Sequence, residues 1–260
     1  MKRSVLALVE LIVILAFITL TQSAIADCDA YYADHGASWV NVFDNCTDDV
    51  SQQSPVDLQV SDNIWKDFVF LTAYAPTKPT FMGLEDCVYK VRAENIGVVT
   101  TNDVYALPKL YKFEAQEIEF HAPSEHLIKG KRAALEMQIY HKDVFGKSKS
   151  KNAMVVSVLF DTVDKDGDDF FTFLDGKSDL DVSKILPINF MMHSNVFGYL
   201  GTQTKEGCAT GVGWYISPEI KKISKQDFET ITSKFTKKGN YRDAFSIREK
   251  RLFSHPPLFK

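Results

Sequence analysis

The chain has 260 residues, 45% of them hydrophobic, enough for one large domain with a substantial core. Its formal net charge of −4 excludes a general electrostatic attraction to nucleic acid or to anionic membranes. The sequence shows no internal repeat, linker or low-complexity stretch that would divide it into two domains.

At the N-terminus, Lys2 and Arg3 precede a largely apolar run from Val5 to Leu20, and Ala24-Ile25-Ala26 has the small-x-small pattern of a signal-peptidase site. This predicts a signal peptide over residues 1–26 and a mature domain over 27–260, hence a secreted protein. The alternative is an uncleaved membrane anchor, since the apolar stretch approaches the length of a bilayer span. Glu10 inside the run, with Thr19, Thr21, Gln22 and Ser23 near its end, weighs against that alternative. Cleavage would remove Lys2, Arg3 and Glu10, leaving 28 basic and 33 acidic residues and a net charge of −5. Cys28, Cys46, Cys87 and Cys208 all follow the leader, and an even count in a secreted chain favours disulfides over a metal cluster. Asn45-Cys46-Thr47 makes Asn45 a candidate glycosylation acceptor.

Alternating apolar residues predict strands at Phe68–Leu71, Val88–Val91, Met154–Phe160 and Val212–Ile216. Lys222–Phe235 is predicted as a surface helix with Ser224 as its N-cap. Between these, Glu117, Glu119 and His121 alternate with Ile118 and Phe120, so an extended backbone puts the three polar residues on one face. Glu136, Gln138 and Tyr140 likewise share a face, with Met137, Ile139 and His141 opposite. Adjacent strands bearing such side chains can build a metal site or a polar cavity, or form a half-solvated sheet face. The acidic run Asp164–Asp169 lacks the spacing and the closing Glu of a calcium loop and is predicted to be a solvated turn. The class read from pattern alone is mainly β with a few short helices.

Several segments resemble the α-class carbonic anhydrases, in consistent order over about residues 34–245. They are Asp34-His35-Gly36-Ala37-Ser38-Trp39, Gln53-Ser54-Pro55-Val56-Asp57-Leu58, Phe120-His121-Ala122-Pro123-Ser124-Glu125-His126, Ala134 to His141, Gly201 to Cys208 with Gly211-Val212-Gly213-Trp214, and Asn240-Tyr241-Arg242. The resemblance implies a single α+β domain built on a large twisted, mostly antiparallel sheet with short peripheral helices. The family holds zinc with three histidines, whose positions here carry Glu119, His121 and Gln138. In this the chain is similar to the carbonic-anhydrase-related proteins, whose histidine triad is incomplete.

The resemblance further assigns Thr204 to the threonine that accepts the proton of the metal-bound hydroxide and Glu125 to the glutamate that orients it. Glu117 and Glu136 are carboxylates behind the ligand positions, and Tyr140 stands where the family keeps a small aliphatic side chain. No histidine occurs at the proton-shuttle position near Asn95–Val98, and His126 and His141 match histidines that make structural hydrogen bonds. The resemblance pairs Cys46 with Cys208, which would close a loop of about 160 residues worth roughly 4 to 5 kcal/mol in the chain-entropy picture. Cys28 and Cys87 are then left as a second pair.

The expected protein is a secreted, catalytically silent member without a cofactor, acting as a binding or structural module for an extracellular protein, a glycan or a larger assembly. The alternative is a carbonic anhydrase, hydrating carbon dioxide with zinc in an altered site on Glu119, His121 and Gln138. A dication-free cavity would bring uncompensated carboxylates together, so Lys205 is expected to pair with Glu119 and fill the space.

Overall fold

The structure is a computed structural model that describes residues 28, 30–49, 52–59, 71–85, 87–102, 110–146, 152–188, 190, 195–234, 238–246 and 252–255. The expected signal peptide, and all of the expected strand Phe68–Leu71 except Leu71, lie outside them. Among the described residues no helix is long and apolar enough to cross a membrane.

In chain order the strands are β1 (Val56–Leu58), β2 (Leu71–Tyr74), β3 (Thr80–Glu85), β4 (Val88–Arg92) and β5 (Gly97–Asn102). They continue with β6 (Leu110–His121), β7 (Leu127–Ile128), β8 (Lys131–Arg132), β9 (Leu135–Asp143) and β10 (Ala153–Val163). The last are β11 (Val196–Thr202), β12 (Thr210–Ile216), β13 (Lys221–Ser224), β14 (Phe245–Ser246) and β15 (Phe253–His255). Eleven of them form one mixed sheet with the spine β15-β11-β12-β10-β9-β6-β4-β3, and β14-β1-β7-β8 form a small second sheet. Among the described residues, the parallel pairings of the large sheet are those of β10 with β12 and with β13.

The long central strand β6 shows how sequence pattern and sheet geometry are reconciled. Its buried apolar residues are Tyr111, Phe113 and Ala115 and then Ile118 and Phe120, so the alternation changes phase at Gln116. The pairing with β9 shifts register at that point, Ala115 facing His141 and Glu117 facing Tyr140. The extra residue is a β-bulge, and it keeps one face of the strand apolar through the phase change. That face joins Met137, Ile139, Met154, Val156, Val158 and Phe160 in the principal core. On the opposite face, Tyr140, Val155 and Leu159 pack with Tyr199, Val212 and Trp214 in a second core. Burying each such side chain is worth about 1.5 to 3 kcal/mol, so β9 and β10 are fixed from both sides.

The helix is shorter than its sequence pattern indicates. It spans Lys225–Thr232, and the Ser224 side chain accepts from the backbone N–H of Asp227. Lys221–Ser224 belong instead to β13, where Ile223 is fully buried against β10. The apolar anchor at Ile223 therefore favours the sheet over a longer helix. Residues 164–168 form an irregular surface turn leading into a 3-10 helix that begins at Asp169; Asp164 pairs with Lys225 and the Asp168 carboxylate accepts from Lys222 N–H.

Both disulfides are present, Cys28 with Cys87 and Cys46 with Cys208, the second joining residues 162 apart. Cys46 and Cys208 pack with Tyr32 and Trp39 in a small aromatic cluster. Asn45 beside them is exposed, as a glycan acceptor requires.

Candidate functional site

Strand register brings the polar residues together. In the β6–β9 pairing Glu119 faces Gln138 and His121 faces Glu136, while in the β4–β6 pairing Lys90 faces Glu119. Turn residues Thr204 and Lys205 close over them from the loop after β11.

At the front of the site the Glu119 carboxylate is wholly buried and carries two ammonium groups on one oxygen. Lys205 Nζ lies 2.8 Å and Lys90 Nζ 3.3 Å from Glu119 Oε1. The same two lysines lie 3.5 and 3.7 Å from Glu117, which is partly exposed. Burial alone would raise the Glu119 carboxyl, but the neighbouring His121 ring and the two lysines hold it well below the usual carboxylate range. Glu117 has less compensation, and burial together with the Glu119 charge moves it upward. The Lys205 ammonium also sits 5.0 Å from the centre of the Tyr140 ring, a favourable cation–π placement.

His121 is the centre of the site. Its Nδ1–H donates to the Asn240 carbonyl at 2.8 Å, which leaves Nε2 pointing toward Glu119 Oε2 at 3.8 Å. Burial would lower its pKa, but the charges of Glu125 and Glu119 prevail and raise it to about 9. Gln138 is fully engaged: its amide donates to Glu125 at 2.9 Å and to Glu136 at 3.1 Å, and its oxygen accepts from the Tyr140 hydroxyl at 3.1 Å. Glu125 also accepts from the Arg242 backbone N–H at 2.9 Å, and burial shifts its carboxyl upward. The Thr204 hydroxyl is buried without a hydrogen-bond partner among the described residues, although it lies close enough to Glu125 and Tyr140 to influence both.

Behind this lies a closed polar network. Glu136 accepts from the backbone N–H groups of Glu125 and His126 at 2.8 Å each, from Ser157 at 2.7 Å and from Gln138, and it meets His126 Nδ1 at 2.7 Å. These partners outweigh burial and lower its carboxyl to about 2. His126 Nε2 bonds Tyr199, whose hydroxyl donates to Ser54, and Thr202 N–H also donates to Ser54. On the other face of β9, His141 bonds Tyr74 in the principal core.

These residues do not fit a zinc ion. A zinc ligand must present a free lone pair, yet the Gln138 amide oxygen is a weak ligand with one of its two lone pairs taken by Tyr140, and one Glu119 oxygen is covered by ammonium groups. Among the described residues, the ligand atoms of the site without any hydrogen-bond partner are Glu119 Oε2 and His121 Nε2, beside two positive charges. Among the described residues no group of three or more His, Cys, Asp or Glu is arranged to hold a metal ion. Lys90 is the residue that sequence reasoning missed. It appeared there as part of an apolar strand, and only the β4–β6 register reveals it as the cross-strand partner of Glu119.

The sequence matches the eukaryotic-type carbonic anhydrase family over residues 34–253. Alpha carbonic anhydrase 8 of Arabidopsis thaliana is 25% identical over 223 residues, covering 80% of this chain and 54% of that protein. Dioscorin dioA3 of Dioscorea japonica is 26% identical over 121 residues, covering 44% of this chain and 43% of that protein. The chain thus spans about half the length of the curated relatives it matches. A halotolerant carbonic anhydrase from Dunaliella salina shares the fold, with a TM-score of 0.67 and 17% identity over 86% of this chain and 97% of that one.

Proposed function

Because the chain belongs to the eukaryotic-type carbonic anhydrase family, we propose that it is a secreted member that has lost zinc-dependent hydration of carbon dioxide and keeps the fold as a binding or structural module. The observation that carries this reading is the pair of ammonium groups on Glu119, at 2.8 and 3.3 Å, where a metal-binding site needs an open lone pair. In a working site the dication lowers the pKa of its bound water to about 7 and so makes hydroxide available at neutral pH. An ammonium ion has no open coordination position and cannot supply that chemistry. Lys205 also packs its ammonium over the Tyr140 ring, so both side chains fill space beside Glu119.

Residues 1–26 serve as the signal peptide in this reading, and 27–260 form the mature domain. Two disulfides support an oxidising compartment. With the cavity filled, recognition of an extracellular protein or a glycan falls to the outer surface. The competing reading, a carbonic anhydrase with an altered metal site on Glu119, His121 and Gln138, has in its favour the unpartnered Nε2 of His121.

Metal analysis of the purified secreted protein, with a stopped-flow assay of carbon dioxide hydration, separates the two. The expected result is sub-stoichiometric zinc and hydration at the uncatalysed rate. Stoichiometric zinc with hydration that a chelator abolishes would establish the competing reading.

A further inference from the structure

Three buried polar atoms of the site have no hydrogen-bond partner among the described residues: Glu119 Oε2, His121 Nε2 and Thr204 Oγ1. Buried polar groups in native proteins are nearly always paired with protein or with ordered water, so a cluster of three calls for a physical cause. Glu119 Oε2 and His121 Nε2 face each other at 3.8 Å, too far for a direct hydrogen bond. Thr204 reaches the same region from the residue before Lys205, whose ammonium bonds the other oxygen of Glu119. It also stands beside Glu125, whose carboxylate is 3.5 Å from the His121 ring.

We propose that one internal water molecule is held between Glu119 Oε2, His121 Nε2 and Thr204 Oγ1, the only kind of occupant whose hydrogen-bonding capacity matches all three. The inference rests on the metal-free reading above. With Nδ1–H committed to the Asn240 carbonyl, a neutral His121 offers a lone pair at Nε2 and a charged one offers N–H. Water answers both. To neutral His121 it donates one hydrogen, gives the other to Glu119 and accepts from the Thr204 hydroxyl. To charged His121 it accepts from Nε2–H and still donates to Glu119, while the hydroxyl turns to suit.

Other occupants fail on charge. A cation would need three lone pairs and would sit beside Lys205 and Lys90, which already bind the same carboxylate. An anion would be pressed against Glu119 Oε2. The site has the two to four polar partners that a buried water requires.

A high-resolution crystal structure of the secreted protein, with anomalous data at the zinc edge, tests this. The expected result is a single solvent peak within hydrogen-bonding distance of all three atoms and no anomalous signal. A Thr204→Val variant that keeps its circular dichroism and melting transition should show one long-lived water fewer by oxygen-17 relaxation dispersion. Direct contact between Nε2 and Oε2 with no peak between them would overturn the water and leave the metal-free reading standing. An anomalous peak at His121 would overturn both. An unchanged number of long-lived waters in the folded variant would also refute the assignment.

Discussion

Glu136 and Glu119 are both fully buried, on neighbouring strands, and each is kept charged by a different means. Glu136 is surrounded by donors that the fold itself fixes, two of them backbone N–H groups, so its environment is complete whatever occupies the cavity. Glu119 depends on two long side chains that bring full charges from β4 and from the loop after β11. The charge of the scaffold behind the site is therefore balanced by fixed backbone and side-chain donors, whereas the charge at the front is balanced by two lysines.

The comparison is broken most sharply by rebuilding the front. The double substitution Glu119→His, Gln138→His should bind zinc poorly while Lys90 and Lys205 remain, and adding Lys90→Met and Lys205→Thr should tighten binding about a thousandfold. The basis is that unit charges about 4 Å apart interact by about 4 kcal/mol at an effective dielectric of about 20. Chelator competition measures it, and tight binding by the two-histidine variant alone would show that the ammonium groups do not matter. Next in size, Glu136→Ala strips partners from His126, Ser157, Gln138 and two backbone amides. It should cost about 3 to 5 kcal/mol in urea unfolding, the range for breaking a buried charged network.

The lysines should show strong non-additivity. Lys205→Ala alone leaves Lys90 on Glu119 and should cost about 1 kcal/mol, whereas removing both strands a buried carboxylate and should cost about 3 to 5 kcal/mol. Additive melting shifts would mean that the two ammonium groups do not share the charge. A further effect concerns pH. His141 is buried with its pKa lowered from 6.5 to about 4, so the unfolded chain binds the proton more readily and stability falls as pH drops from 6.5 toward 4. Glu136, lowered from 4.5 to about 2, adds a second loss as pH falls from 4.5 toward 2. His141→Gln should flatten the first part of a melting-temperature curve against pH and leave the second.

Much of this was legible because it depends on local pattern. The alternation from Glu117 to His121 and from Glu136 to His141 places the right residues on one face, since both runs lie beyond the bulge at Gln116. Lys205 could be placed because it follows Thr204 in a segment with a recognisable family pattern. Lys90 could not, because its role arises from inter-strand register between β4 and β6, which no local signal encodes. The helical span is read too early from sequence for a related reason, although Ser224 is its N-cap as expected. Lys222-Ile223-Ser224 reads as helical next to Lys225-Gln226-Asp227, and only the parallel pairing with β10 commits Ile223 to the core.

The Cys46–Cys208 disulfide bears on how the Lys205 ammonium is positioned. Cys208 N–H bonds the Lys205 carbonyl at 3.0 Å, so the turn that presents the Lys205 ammonium is tied at its far end to the N-terminal cluster around Trp39. A long, freely rotating side chain loses less entropy on pairing when its backbone is already anchored. The disulfide thus helps to hold the Lys205 turn where its ammonium meets Glu119, while Lys90 reaches the same carboxylate from β4 without that tether.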